Sequence, residues 1–300
     1  MTLPNPHDSE SVDIRLPDGS TSTVLLFGAR AEDTGSAGEA KPLVVIWPGF
    51  GMGARYFKPI ASWLAERGFP TAVGELRGQG SSTAIASRTS QWGYHTMVTE
   101  DYPLTIAAAK KALGVSEEYP VILLTHSMGG QVGALFLGSE GARAANVIGM
   151  MGVGSGSPFW RSFRGASRVR IGGGSALMGA ISRVVGHWPA GRLDVVGYGR
   201  QSALHVGEWA RLARTNKLDH IQGADYPAAL AGVSVPVLLT RFNNDEDCTL
   251  ASAEALAALL SGAPVEVEEL AGGLGHNRWA REPETVGQRF VKFYEEKLRD

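Results

Sequence analysis

A mostly parallel α/β sheet flanked by helices is the fold class that the sequence predicts, and three observations predict it. Apolar runs such as 43–47, 121–124 and 235–239 have the composition of strands buried on both faces. Stretches with helical patterning lie between them, so strand and helix alternate along the chain. One run ends in Thr125-His126-Ser127-Met128-Gly129-Gly130 and passes directly into a small-residue helix. That is how a strand turns sharply into a helix while presenting a serine.

The elements follow in order. Residues 12–16 and 23–27 flank Pro17-Asp18-Gly19, a turn signal, and read as a β-hairpin. Residues 30–41 are small and polar, a surface loop. The strand 43–47 is broken by Pro48-Gly49-Phe50-Gly51-Met52-Gly53. A helix over 56–67 closes at Gly68, and a short strand at 69–73 leads into the glycine-rich loop 75–82. Asp101 is placed to cap a helix that carries Pro103 in its first turn and stops at Gly114. The serine-bearing strand and helix occupy 121–138, and 145–153 is another buried strand.

The alternation then stops. Residues 155–223 hold helical stretches and glycine clusters but no convincing buried strand. Residues 156–220 carry 10 Lys+Arg against 3 Asp+Glu, a net of +7, in a chain whose net charge is −2. This shift marks an inserted subdomain over 156–223, between core portions 1–155 and 224–300. The α/β pattern returns with a strand at 235–240, a helix at 251–260, a strand at 265–270 and a last helix at 284–298.

Composition narrows the function. A length of 300 residues with 44% hydrophobic side chains builds one large or two small domains with a sizeable core. The near-neutral charge argues against a general nucleic-acid binder. The single Cys248 excludes an intramolecular disulfide and fits a reducing compartment. Residues 1–10 lack the basic and apolar regions of a signal peptide, so a cytoplasmic location is expected. No apolar run approaches the roughly 18–20 residues of a bilayer span.

The serine carries the chemistry. A hydroxyl is a weak nucleophile and must be held clear of its neighbours and meet a base. Glycines relieve the crowded turn, and a helix start aims free N–H groups at any anion that forms. The base in turn needs an orienting acid. Asp245 follows the strand 235–240 at the end where sheets of this kind place working residues. Asp247 competes with it; the strand's position favours Asp245, which leaves Asp247 as a loop acid or helix cap. His276 follows the strand 265–270 in the glycine-rich Gly272-Gly273-Leu274-Gly275 loop.

Together these motifs resemble the α/β-hydrolase superfamily. The matching residues are Pro48-Gly49-Phe50-Gly51, Arg77-Gly78-Gln79-Gly80-Ser81-Ser82, His126-Ser127-Met128-Gly129-Gly130, Pro236-Val237-Leu238-Leu239 with Asp245, and Gly275-His276. Gly154-Ser155-Gly156-Ser157-Pro158-Phe159-Trp160 is similar to the start of a helical cap inserted after the sixth strand in poorly characterised bacterial capped serine hydrolases. The resemblance implies Ser127 as nucleophile, His276 as general base then acid, Asp245 as its orienting acid, and the backbone N–H groups of Phe50 and Met128 as the oxyanion hole. Trp47 stands where the superfamily usually has a histidine, which puts the geometry of the following loop in question. Thr125 replaces the first glycine of the elbow and is expected to tighten the pocket.

Other residues have plainer readings. His126 is expected to be structural, and His95, His187, His205 and His220 to be surface or satisfied histidines. Cys248 is an idle thiol. The Gly78–Gly80 loop lacks the lysine of a phosphate loop, and no His/Cys/Asp spacing suggests a metal. Trp160, Phe163, Trp188, Tyr198 and Trp209 either form the core of the cap or line an apolar substrate pocket. Arg161, Arg164, Arg168 and Arg170 either form a solvated face or attract an anionic substrate or acidic carrier protein. The expected function is a cofactor-independent serine hydrolase that cleaves a small carboxylic ester through an acyl-enzyme. The alternatives are a thioesterase or acyl transferase acting on a carrier- or coenzyme A-bound acyl group, and a non-catalytic ligand-binding member of the fold.

Overall fold

A computed structural model describes residues 9–28, 40–194, 197–219 and 221–299. Most of the expected loop at 30–41 lies outside the described residues, as does His220. The strands are β1 (Glu10–Arg15), β2 (Thr21–Phe27), β3 (Leu43–Trp47), β4 (Thr71–Val73), β5 (Val121–His126), β6 (Val147–Val153), β7 (His187–Trp188), β8 (Gln201–Ser202), β9 (Val237–Phe242) and β10 (Val265–Leu270). The helices are α1 (Lys58–Ala65), α2 (Tyr94–Thr96), α3 (Tyr102–Leu113), α4 (Met128–Leu137), α5 (Glu140–Ala144), α6 (Gly165–Val185), α7 (Ala203–Thr215), α8 (Tyr226–Ala231), α9 (Leu250–Ala257) and α10 (Glu284–Lys297).

Eight strands form one sheet in the order β1-β2-β4-β3-β5-β6-β9-β10. The β1–β2 and β2–β4 pairings are antiparallel, and every pairing from β4 to β10 is parallel. The apolar runs of β3, β5 and β9 are buried along their whole length, as strands covered by helices on both faces must be. Alternate residues serve opposite faces. Leu43, Val45 and Trp47 join the core layer containing Val132, Leu135 and Phe136 of α4. Val44 and Ile46 join the other layer, with Ile60 and Leu64 of α1 and Phe290 and Phe293 of α10. Because the run of strands is parallel, the chain leaves β3, β5, β9 and β10 at the same edge of the sheet, where ligands of such sheets bind.

Two expectations are corrected. Asp101 does not cap a helix: it lies within helical backbone that begins at α2 and passes through a π turn, Met97–Asp101, into α3. The wider turn sits where Pro103 would otherwise crowd the preceding carbonyls. Asp101 is instead buried against Arg77, whose Nη2 and Nε lie 2.6 and 3.1 Å from its Oδ1. Burial is the main cause that lifts the Asp101 carboxyl to about 6. The second correction concerns residues 155–223, which do contain strands. β7 and β8 form a two-stranded antiparallel ribbon, but each has only two residues, too few to show a period.

The rest of that segment is helical. Helix α6 runs straight through Gly172-Gly173-Gly174 and packs against α7. Tertiary contact overrides poor helix propensity there. A Cβ at Gly179 would sit 3.1 Å from that of Ala210, so the missing side chain lets the two helices approach. Among the described residues, no helix is long and apolar enough to cross a membrane.

Candidate active site

The turn from β5 to α4 holds Ser127 at φ 51° and ψ −121°, outside the ordinary basins for a non-glycine residue. Two hydrogen bonds maintain it. The Ser127 N–H donates to the Val153 carbonyl at 3.1 Å, and the Ser127 carbonyl accepts from Gly130 N–H at 2.9 Å. The strain aims the hydroxyl away from the sheet and into a cavity of about 150 Å³. A Cβ at Gly129 would lie 2.5 Å from the Pro48 carbonyl oxygen, so only glycine lets the start of α4 approach the exit of β3 this closely.

Three side chains from three strand ends meet there. Ser127 Oγ is 2.9 Å from His276 Nε2, and His276 Nδ1 is 2.8 Å from Asp245 Oδ2. Asp245 is 3% exposed, and its Oδ1 accepts from the backbone N–H groups of Asp247 and Cys248, each at 2.9 Å. Both of its oxygens are thus engaged, and these three contacts fix the orientation of the carboxylate. Asp247 is half-exposed and pairs with Arg170. The geometry therefore joins Asp245, not Asp247, to the histidine.

Sequence reasoning missed the residues that brace this relay. Arg241, buried at the end of β9, donates to the carbonyls of Cys248 and Asp245 at 2.6 and 3.0 Å and pairs with Glu269. Asn244 holds the histidine loop, accepting from Gly275 N–H and donating to the Gly273 carbonyl, both at 2.9 Å. Nothing in the sequence marks either residue: Arg241 folds back on carbonyls of the loop that follows it, and the partners of Asn244 lie on the histidine loop.

Phe50 and Met128 line the cavity beside Ser127. Met128 opens α4, so its N–H belongs to the first turn, where no helical acceptor exists. Trp47 lies flat on Tyr102, with centroids 3.7 Å apart and planes at 1°, and the Tyr102 hydroxyl donates to the Gly129 carbonyl at 2.9 Å. The residue in the usual histidine's place thus supports the turn through an aromatic stack. Thr125 does not narrow the cavity: it is buried under α4, with Oγ1 3.5 Å from Ser155 Oγ and its methyl facing Gly133.

His126 has a structural place. Its Nδ1 is 3.1 Å from the Val153 carbonyl and its Nε2 is 3.0 Å from Asn277 Oδ1. The Val153 carbonyl only accepts, so Nδ1 carries the proton, and Nε2 becomes an acceptor only when the Asn277 amide is turned to present Nδ2 in place of Oδ1. Burial, reinforced by nearby His276, pushes the imidazole down to about 3 and keeps it neutral. His205 is also buried, and burial lowers it to about 3; its Nε2 lies 2.8 Å from Met128 Sδ. Burial pushes the Cys248 thiol far up, consistent with an inert role.

The five aromatic candidates separate. Trp209 lines the cavity and stacks on Phe50 at 6.0 Å, and Tyr198 lines it too. Trp160 instead lines an outer groove between α6 and α7. Phe163 is fully buried, and Trp188 packs with Met178 and Val206 while its Nε1 donates to Asp194 at 2.9 Å. Asp245, Asp247 and His276 also bring one potential metal-ligand atom each within 4.8 Å of one another. Asp245 already occupies the histidine's Nδ1 and Arg170 occupies Asp247, so a cation would have to displace both contacts.

Residues 38–166 match the family model described as serine aminopeptidase, S33. A search of curated proteins finds no match. Solved structures of similar fold include an esterase from Exiguobacterium antarcticum, 19% identical over 95% of this chain and 99% of that one, with a TM-score of 0.57. An esterase from Rhodococcus sp. is 18% identical over 96% and 99%, with a TM-score of 0.54. A thioesterase domain from the curacin biosynthetic pathway is 15% identical over 95% and 99%, with a TM-score of 0.56. The sheet order, the strand-end site and these likenesses show an α/β-hydrolase fold.

Proposed function

We propose that the protein is a serine hydrolase that cleaves a small carboxylic ester through an acyl-enzyme. The observation that carries this reading is the unbroken Ser127–His276–Asp245 chain of contacts at 2.9 and 2.8 Å. As Ser127 Oγ bonds to the carbonyl carbon, its proton passes to His276 Nε2 and the carbonyl π electrons move onto oxygen. The backbone N–H groups of Phe50 and Met128 receive that oxyanion. The carbonyl reforms, the alkoxide leaves with the proton from His276, and water repeats the sequence in reverse to release the acid. Asp245 keeps the proton on Nδ1 and steadies the imidazolium. Residues 156–223 act as the cap over this site.

The test is a chromogenic ester and a fluorophosphonate probe. A product burst with stoichiometric labelling is expected, and both vanish in Ser127→Ala. Unlabelled wild-type protein would favour a non-catalytic binding role. A second reading, hydrolysis or transfer of a carrier- or coenzyme A-bound acyl group, draws on the net +7 of residues 156–220. It predicts a kcat/KM on coenzyme A thioesters that falls steeply with salt, against a flat response for neutral esters.

A further inference from the structure

Two charged side chains line the cavity: Arg170 from α6 and Asp247 from the loop after β9. Arg170 Nη2 lies 2.5 Å from Asp247 Oδ1, and the side chains are 52% and 45% exposed. They therefore meet where the cavity opens to solvent, joining the inserted segment to the core. An ion pair this exposed contributes little to stability and separates readily.

Once it separates, the two groups differ in what they can bind. Asp247 has Asp245 beside it, with carboxylate oxygens within 4.8 Å, and it faces a segment of net charge +7. A cation arriving from solvent must pass that positive field. Arg170 belongs to the positive segment, has no other ion-pair partner among the described residues, and presents a planar fork suited to a carboxylate. Around it stand Ile171, Tyr198 and Trp209, an apolar wall for a short carbon chain.

We propose that Arg170 is the anion-recognising residue of the site, with Asp247 holding its guanidinium until a substrate carboxylate takes its place, so that the preferred substrates are half-esters of short dicarboxylic acids. The proposal rests on the ester-hydrolase reading above and names its substrate class. The exchange replaces one carboxylate by another on the same fork and moves no proton. It also opens a cavity whose 150 Å³ is below the several hundred typical of ligand sites.

The test compares 4-nitrophenyl butyrate with the 4-nitrophenyl half-ester of succinic acid, which differ chiefly in the terminal carboxylate. The wild-type kcat/KM is expected to be about tenfold or more higher for the half-ester. Arg170→Ala lowers that anionic-to-neutral ratio about 10- to 100-fold, mostly through KM, as loss of a charge-assisted hydrogen bond should. Arg170→Lys, which keeps the charge without the fork, falls between, and Asp247→Asn raises the ratio. A wild-type ratio near or below one, or an Arg170→Ala ratio within threefold of wild type, overturns the proposal.

Calorimetric titration of Ser127→Ala with monomethyl and dimethyl succinate reads the same selectivity without turnover. Preferential, Arg170-dependent binding of the monoester by Ser127→Ala, with wild-type protein hydrolysing neither ester, would sink the hydrolase reading and leave the anion site standing. Equal hydrolysis of both esters does the reverse.

Discussion

Replacing Asp245 by Asn tests the proposed mechanism at the point where the structure makes its clearest choice. The side chain keeps its shape, and its oxygen can still accept from the Asp247 and Cys248 N–H groups, as Asp245 Oδ1 does now at 2.9 Å. The amide nitrogen then faces His276 Nδ1 at the position of the present 2.8 Å contact. Because an amide nitrogen only donates, Nδ1 must become the acceptor and the proton moves to Nε2, which faces Ser127. The base is then in the wrong tautomer, and the imidazolium that forms has lost its counter-charge. A unit charge pair 2.8–4 Å apart in a medium of effective dielectric 20 is worth about 4–6 kcal/mol. At about 1.4 kcal/mol per tenfold, that is a loss of roughly 10³- to 10⁴-fold in kcat, and the analogous change in the serine-protease triad costs about 10⁴. Steady-state hydrolysis of 4-nitrophenyl butyrate measures it, with KM expected to stay within a few fold and the circular dichroism spectrum unchanged. A loss under tenfold in Asp245→Asn, with a large loss in Asp247→Asn instead, would refute the assignment of the orienting acid.

Three further outcomes follow from packing and titration. Gly129→Ala should lose about 1–3 kcal/mol of stability in urea denaturation, because its Cβ meets the Pro48 and Trp47 carbonyl oxygens at 2.5 and 2.8 Å. Gly207→Ala on α7, where a Cβ meets nothing within 4 Å, should gain about 0.5–1 kcal/mol. His205 is held at about 3 in the folded chain, against 6.5 when exposed, so between those values the unfolded chain binds a proton that the folded one does not. Its contribution is therefore full above the unfolded value and is lost as pH falls. The stability of wild type relative to His205→Gln should drop by about 2 kcal/mol from pH 7 to pH 5. An unchanged difference would mean that His205 is not buried and neutral.

Much of the fold and the candidate site was legible in the residues. Strands β3, β5 and β9 announce themselves because strands buried on both faces must be apolar throughout. Ser127, Asp245 and His276 could be named from the chain because each follows such a strand or a turn signal. Asp101 misled because an acid before Pro103 is locally a good cap, and its real partner, Arg77, lies 24 residues away. The glycine run in α6 obscured a 21-residue helix whose stability comes from contact with α7.

The sequence by itself determined the layers and the strand ends, since burial leaves a period that neighbouring residues record. Only the tertiary structure decided which acid meets His276, which aromatic side chains reach the cavity, and that Arg170 closes on Asp247 across 77 residues. Those choices depend on the directions of side chains carried by different loops. No periodicity within one segment encodes the distance to another.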